Sequence, residues 1–544
     1  MNLTDLSFDG LPLNQLFSDY HHHFDNLQEF YEFKPGSNSD DGYSDFLAQR
    51  ASGFTGRSEL VEELKRFNSP FDIGQAARDN IERLADPSAV TVVTGQQLNL
   101  FGGPLYIILK ISTAINLSRQ LEARHKVPVI PVFWLGDEDH DYDEIRHVFL
   151  PERDRVDHLS LSEQQNPMPP VSQLQVDEEL QQLLGQVEER LQDTDFKTSL
   201  VDLIKSCYAQ GRSHREAFGA LISSLFSKHG LVLIGGHDQE FKQQSRHVLL
   251  NSVKQHEHIY DKLSEQTDAL KRKYHQQVTL YHSNIFHLDQ DGRRIKIHVG
   301  HEDGNELWYT KEGQQWQQQE LLDEIDNHPE RFSPNVFLRP MIQETLLPNV
   351  AYVGGPGEVA YYAQTKPLYE AMGLTMPMIY PRITATVLEH PIERVYNKLP
   401  FSMEEYAQRI EDLEQRFARQ QEKEDIESIF KDWKERVNQL VEQKADEIQE
   451  IDPTLKKSAA KATSSYFNEL DKLKGKIHKS VKQQEKTQID RIHRVKTNLF
   501  PEGKPQERVV SMIYFLNKYG LDIWDQLLTH LEEAEYGKHQ VIHV

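Results

Sequence analysis

The sequence predicts an α/β protein with a doubly wound parallel sheet, followed by a long pair of antiparallel helices. Within the first 390 residues, five short apolar runs rich in β-branched residues are bounded by glycine or proline, as buried parallel strands tend to be. Helical patterns separate these runs, and such alternation is typical of a doubly wound sheet. The five predicted strands are residues 89–94, 128–135, 231–235, 350–354 and 376–380.

Three helices are predicted between these strands. They cover residues 106–121, 217–226 and 359–372, where apolar residues recur three and four apart. This spacing places the apolar side chains on one helix face, so the helices are expected to pack against the sheet.

Two stretches interrupt the alternation and predict insertions, at residues 151–211 and 268–333. The second insertion contains alternating polar and apolar residues at 278–282 and at 294–299, with a turn at 289–292. This pattern predicts a small antiparallel sheet.

The character of the chain changes between about residue 402 and residue 499. Glycine is almost absent there, charged residues dominate, and apolar residues recur with helical spacing. Asp452 and Pro453 interrupt the pattern, so we predict two helices of about 40–50 residues each that form a coiled-coil hairpin. Because a lone hairpin exposes apolar residues, we expect the protein to be a homodimer that pairs through this hairpin.

These observations divide the chain into seven segments. The C-terminal one is rich in aromatic residues, so we expect it to pack back against the rest of the protein. The segments are 1–150, 212–267 and 334–395 (N-terminal helices and the α/β core), 151–211 and 268–333 (the two insertions), 396–500 (the helical hairpin) and 501–544 (the C-terminal segment).

Composition restricts the class of function. The 544 residues carry a net charge of −24, which disfavours general binding to nucleic acid or to an anionic membrane. The N-terminus lacks the features of a signal peptide, and no apolar run is long enough for a membrane span, so we expect a cytoplasmic protein. Cys207 is the only cysteine, which excludes an intramolecular disulfide and a zinc site built of cysteines. His21, His22 and His23 would face different sides of a helix, so they predict no metal site.

The first predicted strand ends in a polar turn, and the following helix begins after a pair of glycines. Ligands of parallel sheets bind at the carboxyl ends of the strands, where backbone amides hold phosphate or carboxylate groups. The pattern matches neither common glycine-rich nucleotide motif, and a tight turn that requires glycine explains it equally well. The candidate binding residues are Thr94, Gly95, Gln96, Gln97, Gly102 and Gly103.

An acidic cluster follows the second predicted strand. Residues 137–144 contain six carboxylates and one histidine, a costly crowding unless a cation, an arginine or water relieves it. The cluster fits a Mg²⁺ ion beside a nucleotide, an ammonium group or proton transfer. If the cluster serves proton transfer, the candidate catalytic residues are Asp139, His140 and Asp141. A solvated acidic loop is the alternative.

Polar residues also follow the third and fourth strands. His237, after the third strand, is a candidate for proton transfer, although such a histidine often only makes local hydrogen bonds. The fourth strand leads through a glycine-rich turn into a helix, and arginines that flank it would either clamp an anion or serve a structural role. The candidate binding residues here are Arg339, Gly355, Gly357, Glu358, Tyr362, Gln364 and Arg382.

Taken together, these residues resemble the bacillithiol biosynthesis cysteine-adding enzymes, a family of cysteine ligases. The resemblance covers nearly the whole chain, and its motifs are highly specific when they occur in this order. They are TGQQ at 94–97, GGPLY at 102–106, PVFWLGDEDHDYDEI at 131–145, RPMIQETLLPNVAYVGGPGEVAYYAQ at 339–364, MPMIYPR at 376–382 and QERVVSMIYFLNKYG at 506–520.

The resemblance implies a Rossmann-like core with two connecting-peptide insertions and a coiled-coil domain through which the enzyme dimerises. The implied reaction joins the carboxyl group of L-cysteine to the amine of glucosaminyl-malate, in the last step to bacillithiol. The family's core is similar to that of class I aminoacyl-tRNA synthetases, which activate amino acids as adenylates, so ATP with Mg²⁺ is the implied cofactor. TGQQ stands where those enzymes carry a HIGH-like motif, no KMSKS-like motif is found, and Cys207 alone cannot form the zinc site of cysteinyl enzymes.

The resemblance also suggests roles for the candidate residues. Glu358 and Tyr362 would hold polar groups of the substrate, and Arg339 or Arg382 would hold the malate carboxylates. Gln506 and Arg508 of the C-terminal segment would form a further nucleotide pocket. Two other classes of function stay open: a nucleotide-binding scaffold or regulatory protein that works through its coiled coil, and an RNA-associated factor that uses the lysine-rich second helix.

Overall fold

The structure of the protein is a computed structural model that describes residues 1–36, 42–153, 155–164, 168–421, 426–452, 454, 456–532 and 534–544. Its strands, in chain order, are β1 (Asn2–Leu6), β2 (Val90–Gln96), β3 (Val129–Leu135), β4 (His147–Pro151), β5 (Val156–Ser160), β6 (Val232–Gly235), β7 (Ile285–Leu288), β8 (Arg294–Lys296), β9 (His298–Glu302), β10 (Asn305–Tyr309), β11 (Gln315–Trp316), β12 (Phe332–Pro334), β13 (Asn349–Gly354), β14 (Met378–Pro381), β15 (Thr384–Leu388) and β16 (His539–His543).

Helices account for most of the remaining regular structure. They are α1 (Gln15–His22), α2 (Tyr43–Gly53), α3 (Arg57–Asn68), α4 (Gln75–Arg83), α5 (Leu105–His125), α6 (Tyr142–Ile145), α7 (Glu178–Arg190), α8 (Lys197–Cys207), α9 (His214–Phe226), α10 (Gln239–Lys254), α11 (His256–Lys271), α12 (Gln318–Asn327), α13 (Leu338–Leu346), α14 (Pro356–Tyr362), α15 (Lys366–Ala371), α16 (His390–Tyr396), α17 (Ile410–Gln421), α18 (Ile426–Ile451), α19 (Lys456–Leu499), α20 (Met512–Tyr519) and α21 (Ile523–Leu531). Within the described residues, none of them combines the length and the apolar character that crossing a bilayer requires.

Five strands form one parallel sheet in the order β14-β13-β2-β3-β6. They coincide, within a residue or two at each end, with the five apolar runs of the sequence. All seven residues of β3 are buried, as expected for a strand that is covered on both faces. The predicted fold class is therefore confirmed.

The helix predicted over residues 359–372 is instead two short helices, α14 and α15. Pro367 lies in the first turn of α15. A proline has no N–H for the helix ladder, and its ring clashes with the carbonyl of the fourth residue before it, here Ala363. The single-helix prediction was wrong because it followed the apolar spacing alone.

The second insertion contains two small antiparallel sheets, β12-β7-β8 and β11-β10-β9. The expected turn at 289–292 is present, with the Gly292 amide donating to the Asp289 carbonyl (2.9 Å). The prediction of a strand at 278–282 was wrong. Instead, the Gln364 side chain bonds both the amide and the carbonyl of Val278, at 2.9 and 3.1 Å. The predicted strand at 294–299 is divided between β8 and β9.

The C-terminal segment packs on the α/β core. Its last strand, β16, pairs with β1 in antiparallel and with β15 in parallel orientation, and these three strands form a separate sheet. Near the beginning of the segment, the Val510 carbonyl accepts from the Leu105 amide at the start of α5 (3.0 Å). The C-terminal segment therefore also contacts the helix that follows the central strand.

The chain divides into two compact units. One consists of Met1–Glu152, Val156–Leu388 and Lys504–Val544, and the other of Arg153–Arg155 and Glu389–Gly503. The parallel sheet belongs to the first unit, and the long helices α17, α18 and α19 belong to the second.

The long helices of the second unit run antiparallel. Glu414 of α17 pairs with His493 of α19 (2.5 Å), and Lys434 of α18 pairs with Asp471 of α19 (2.7 Å). Residue numbers rise from α17 to α18, and the numbers of their partner residues on α19 fall. Pro453, where the sequence predicts the reversal, lies outside the described residues.

Candidate active site

A cavity of about 380 Å³ opens at the carboxyl edge of the parallel sheet. The ends of β2, β3, β13 and β14 all contribute to its wall, which is where ligands of open α/β sheets bind. Nine residues that the sequence analysis singled out line this cavity: Gly95, Gln96, Gln97, Arg339, Gly355, Gly357, Glu358, Arg382 and Arg508.

An ion pair between a buried lysine and a partly buried glutamate forms part of the cavity wall. Nζ of Lys110 in α5 lies 2.5 Å from Oε2 of Glu358 and also donates to the Gly95 carbonyl. Glu358 further accepts from the Gly355 amide (2.8 Å) and the Tyr352 hydroxyl (2.6 Å). Burial alone would raise the pKa of Glu358, but Lys110 and these donors outweigh it and lower that pKa. Glu358 is therefore held as a carboxylate by the protein itself.

A second ion pair joins Arg382 to the C-terminal segment. Its guanidinium donates twice to the Glu507 carboxylate, at 2.6 and 2.9 Å, and both side chains are almost fully buried. Burial would raise the pKa of Glu507, but Arg382 outweighs it and the pKa is lowered. The charge of Arg382, predicted to clamp a substrate anion, is thus neutralised within the protein.

Arg339, from α13, is held by neutral groups. Its guanidinium donates to the hydroxyls of Tyr361 (3.2 Å) and Tyr362 (3.3 Å) and to Oε1 of Gln343 (3.1 Å). It also lies 5.2 Å from the ring centre of Tyr352. In the described part of the chain none of its hydrogen-bond partners carries a charge. No carboxylate among the described residues therefore forms a hydrogen bond with Arg339.

Glu144, from the short helix α6, faces the same cavity. Nε2 of Gln96 donates to its carboxyl group at 3.1 Å. The carboxyl group is open to the cavity, yet the surrounding protein removes enough water to raise its pKa to about 7, and Asp141 and Asp139 add to the shift. Near neutral pH this group both gives and takes a proton readily.

The charges around the cavity favour an anionic ligand. Lys110 and Arg382 each form an ion pair with a glutamate of the protein. Among the lining residues, Arg339 and the exposed Arg508 are then the positive groups without such a partner. Glu144, with its raised pKa, adds less than a full negative charge at neutral pH. The site combines positive groups for phosphate or carboxylate with one group suited to proton transfer.

Two family models together match almost the whole chain. "Bacillithiol biosynthesis BshC, N-terminal Rossmann-like domain" matches residues 1–383, and "Bacillithiol biosynthesis BshC, C-terminal coiled-coil domain" matches residues 385–544. The chain belongs to the bacillithiol biosynthesis BshC family. The Rossmann-like core and the coiled coil that the sequence predicts are thereby confirmed.

Three relatives, each named "Putative cysteine ligase BshC", show how far the BshC similarity extends. The relative from Salinibacter ruber is 32% identical over 537 residues, which cover 97% of this chain and 96% of the relative. That from Koribacter versatilis is 32% identical over 545 residues, 98% and 99% of the two chains. That from Bacillus cytotoxicus is 27% identical over 547 residues, 100% of both.

The candidate catalytic residues of the acidic cluster, Asp139, His140 and Asp141, lie outside the lining of the cavity. Arg294 of β8 binds Asp139 (3.2 Å) and donates to Nδ1 of His140 (2.9 Å). The lone pair of that nitrogen is therefore already used. Burial opposes ionisation of Asp139, but Arg294 and the hydrogen bond from the His140 backbone amide (2.8 Å) prevail and lower its pKa. Asp141 accepts from the Glu144 amide and caps α6.

His237 does not line the cavity either. Its backbone amide donates to Oδ1 of the buried Asp137 (3.1 Å), and its ring contacts Gln173 (3.2 Å). Burial lowers the pKa of His237 to about 3, so the ring stays neutral at physiological pH. His237 therefore makes local hydrogen bonds, as the alternative interpretation of the sequence held.

The glycines before α5 serve close packing rather than anion binding. The Phe101 amide is taken by the Tyr208 hydroxyl (3.0 Å) and the Gly103 amide by the Leu100 carbonyl (3.0 Å). Gly102 has φ +85°, and a Cβ atom there would lie 2.5 Å from Sδ of Met512. A tight turn that requires glycine is thus what the structure shows at this point.

Four more predicted residues make internal contacts and do not line the cavity: Thr94, Tyr362, Gln364 and Gln506. Gln364 bonds Val278, as described above, and the Thr267 hydroxyl (3.0 Å). The Thr94 hydroxyl donates to the Val353 carbonyl (2.9 Å) and so links β2 to β13. The side chain of Gln506 bonds the amide and the carbonyl of Val387, at 2.8 and 2.9 Å. Tyr362 lies behind Arg339 and positions its guanidinium.

Several lining residues were missed by the sequence analysis. Lys110 left a signal, because it is the one charged residue within the apolar run of α5 and a lysine there needs a buried partner. Glu144 lay within the acidic cluster, but nothing local distinguished it from its neighbours. The lining residues not predicted are Tyr106, Lys110, Trp134, Gly136, Glu144, Gln277, Val278, Tyr352, Pro356 and Tyr361.

Proposed function

We propose that this chain is a ligase that joins the carboxyl group of L-cysteine to the amine of glucosaminyl-malate, the last step of bacillithiol biosynthesis. Membership of the BshC family and the names of its relatives support the reaction class. The observation that carries the proposal is Arg339, which brings a positive charge with only neutral partners to the cavity at the sheet edge.

Arg339 is the proposed binding residue for the malate part of the substrate. Malate carries carboxylates, and a guanidinium N–H that the protein leaves free donates a charge-assisted hydrogen bond to a carboxylate. Because Tyr361 and Tyr362 already hold Arg339, little side-chain freedom is lost when the substrate binds. Arg508 is exposed at the same cavity and supplies a second positive charge.

Glu144 is the proposed general base. An ammonium group must lose a proton before its nitrogen attacks an acyl carbon, and a carboxylate with a pKa near 7 accepts that proton efficiently. The hydrogen bond from Gln96 fixes the orientation of the Glu144 carboxyl group. This assignment takes the place of His140, whose Nδ1 is occupied by Arg294.

ATP is the proposed activating cofactor, with Mg²⁺ bound to its phosphates. The residues present fit such a group, because Arg508 and Arg339 offer positive charge and the carboxylate of Glu358 is already paired with Lys110. When bound, ATP would supply the activated form of the cysteine carboxyl group. The chain's own residues bind the anionic groups and remove the proton from the attacking amine.

The second unit supports a homodimer. Trp433 and Leu440 of α18 are 39% and 57% exposed, and Tyr466 and Leu473 of α19 are both 42% exposed. The members of each pair are seven residues apart and therefore share one face of their helix. We infer that a second copy of this chain covers these two apolar stripes.

The first experiment is an assay of the purified protein with glucosaminyl-malate, L-cysteine and ATP–Mg²⁺, beside an ATP-free control. Mass spectrometry would detect the amide product and any AMP. Product that requires ATP and appears with AMP supports the proposal, and no product under any condition contradicts it. Arg339→Gln is expected to raise the KM for glucosaminyl-malate at least tenfold, whereas Arg331→Gln, an exposed arginine outside the cavity, leaves it unchanged.

A further inference from the structure

Three side chains of metal-binding type meet away from the cavity, where β10 lies against the start of α11. They are His256, Glu257 and Glu306. One nitrogen of His256 and one carboxylate oxygen from each glutamate all lie within 4.8 Å of one another. None of the three has a role in the proposed reaction.

The hydrogen atoms of His256 point to a cation between two of these groups. Nδ1 lies 3.1 Å from the Val253 carbonyl, and Nε2 lies 3.1 Å from Oε2 of Glu306. A neutral imidazole has a single N–H, and the carbonyl contact at Nδ1 needs it. Nε2 then presents a lone pair to a carboxylate oxygen. Two acceptors at this distance attract only when a proton or a metal ion lies between them.

The hydrogen bonds that orient His256 and Glu306 are of the kind found around metal ligands. Metal-binding histidines almost always donate their other N–H to a carbonyl or carboxylate, and the Val253 carbonyl takes that place here. Glu306 is fixed in the same way, because its Oε1 accepts from Nε1 of Trp308 at 2.7 Å. The imidazole also packs edge-on against the Trp308 ring, with centroids 5.0 Å apart. Two ligands are therefore oriented before any ion arrives.

The distances and ligand types select the class of ion. Two ligands of a tetrahedral Zn²⁺, each about 2.0–2.1 Å from the ion, lie about 3.4 Å apart, close to the separation of His256 and Glu306. Imidazole favours zinc-like transition metals over Mg²⁺ and Ca²⁺. Glu257 is exposed, so a small rotation brings its carboxylate to the ion, and water takes the fourth position.

We propose that His256, Glu257 and Glu306 bind a divalent transition-metal ion of the Zn²⁺ type. Such an ion would tie β10 of the second insertion to the first turn of α11. Since it binds the folded chain and not the unfolded one, it would raise the thermal stability of the protein.

The test is calorimetric titration of the full-length, chelator-treated protein with ZnCl₂. We expect one tight equivalent per chain, and at least tenfold weaker binding to Glu257→Gln and Glu306→Gln. His258→Gln, an exposed histidine on the same helix, is the matched control and keeps wild-type affinity. Because Glu257 is exposed, its substitution leaves the fold intact, which circular dichroism would verify. MgCl₂ is expected to bind at least tenfold more weakly than ZnCl₂.

A second readout is the melting temperature. ZnCl₂ should raise the Tm of the wild type and of His258→Gln, and it should not raise that of Glu257→Gln. The chain has 25 histidines, so weak binding at several scattered sites is the expected background. Absence of a tight equivalent in the wild type, or its persistence in both glutamate variants, would overturn the proposal and leave the three side chains with a structural role only.

Discussion

Nζ of Lys110 and Oε2 of Glu358 lie 2.5 Å apart in the wall of the cavity, although 248 residues separate them in the chain. Lys110 belongs to α5 and Glu358 to the first turn of α14. Lys110 also bonds the Gly95 carbonyl at the end of β2. One buried ammonium group therefore fixes the relative positions of two turns that line the site.

Replacing Lys110 with methionine is expected to lower the free energy of unfolding by about 1–3 kcal/mol, because it leaves the partly buried Glu358 carboxylate without its charged partner. Equilibrium unfolding in urea would measure the change. The double variant Lys110→Met with Glu358→Gln removes both charges and should regain a large part of the lost stability. A single variant as stable as the wild type would show that the pair contributes nothing.

Glu144→Gln is expected to reduce kcat/KM by about 10²–10⁴, the usual effect of removing a general base. The base must be deprotonated, so wild-type kcat/KM should rise with pH through about 7 and level off above it. The variant should lose this rise. Asp143→Asn, an exposed carboxylate in the same helix that pairs with Arg146, is the control. If Glu144→Gln keeps the pH dependence, another group is the base.

The sequence predicted the parallel sheet well because a buried strand has a local signature. Each strand, β2 for example, is a short β-branched run, and the requirement to be apolar on both faces acts on those residues alone. The turns at the strand ends were also found, and Gly95, Gln96 and Glu358 do reach the cavity.

The assignment of proton transfer depended on contacts that no local pattern contains. Residues 137–144 are similar in charge, and their environments differ because distant residues pair with some of them. Arg294 arrives from the second insertion to bind Asp139 and His140, and Lys242 of α10 pairs with Glu138 (3.0 Å). Glu144 lines the cavity, whereas the contacts of Arg294 within the cluster are with Asp139 and His140. The same reason explains residues 278–282, which alternate like a strand but find the Gln364 side chain in place of a neighbouring strand.

Asp137 should make the stability of the protein depend on pH. It is fully buried, and burial raises the pKa of its carboxyl group to about 7, with Glu138 adding to the shift. The folded chain therefore holds a proton that the unfolded chain releases near pH 4. The contribution of the protonated Asp137 to the free energy of unfolding is fully present below about pH 4. It is lost as pH rises through about 7.

Comparison of the wild type with Asp137→Asn isolates this effect. The difference in unfolding free energy between the two should change by up to about 4 kcal/mol between pH 4 and pH 8, with the wild type losing stability relative to the variant as pH rises. Asp268→Asn, an exposed carboxylate on α11, should show no such change. A constant difference for Asp137→Asn would mean that this carboxyl group is ionised in the folded protein throughout.

The apolar stripes of the second unit lead to an expected oligomeric state. Leu440 and Leu473 are 57% and 42% exposed, and we expect a second copy of the chain to cover them. A glutamate at both positions would place charges in that interface without partners, so the double variant should be a monomer of 63.3 kDa by light scattering, and the wild type a dimer. Asn438→Glu, on the opposite face of α18 from Leu440, should remain dimeric. A wild type that is monomeric, or a double variant that still dimerises, would place the contact elsewhere.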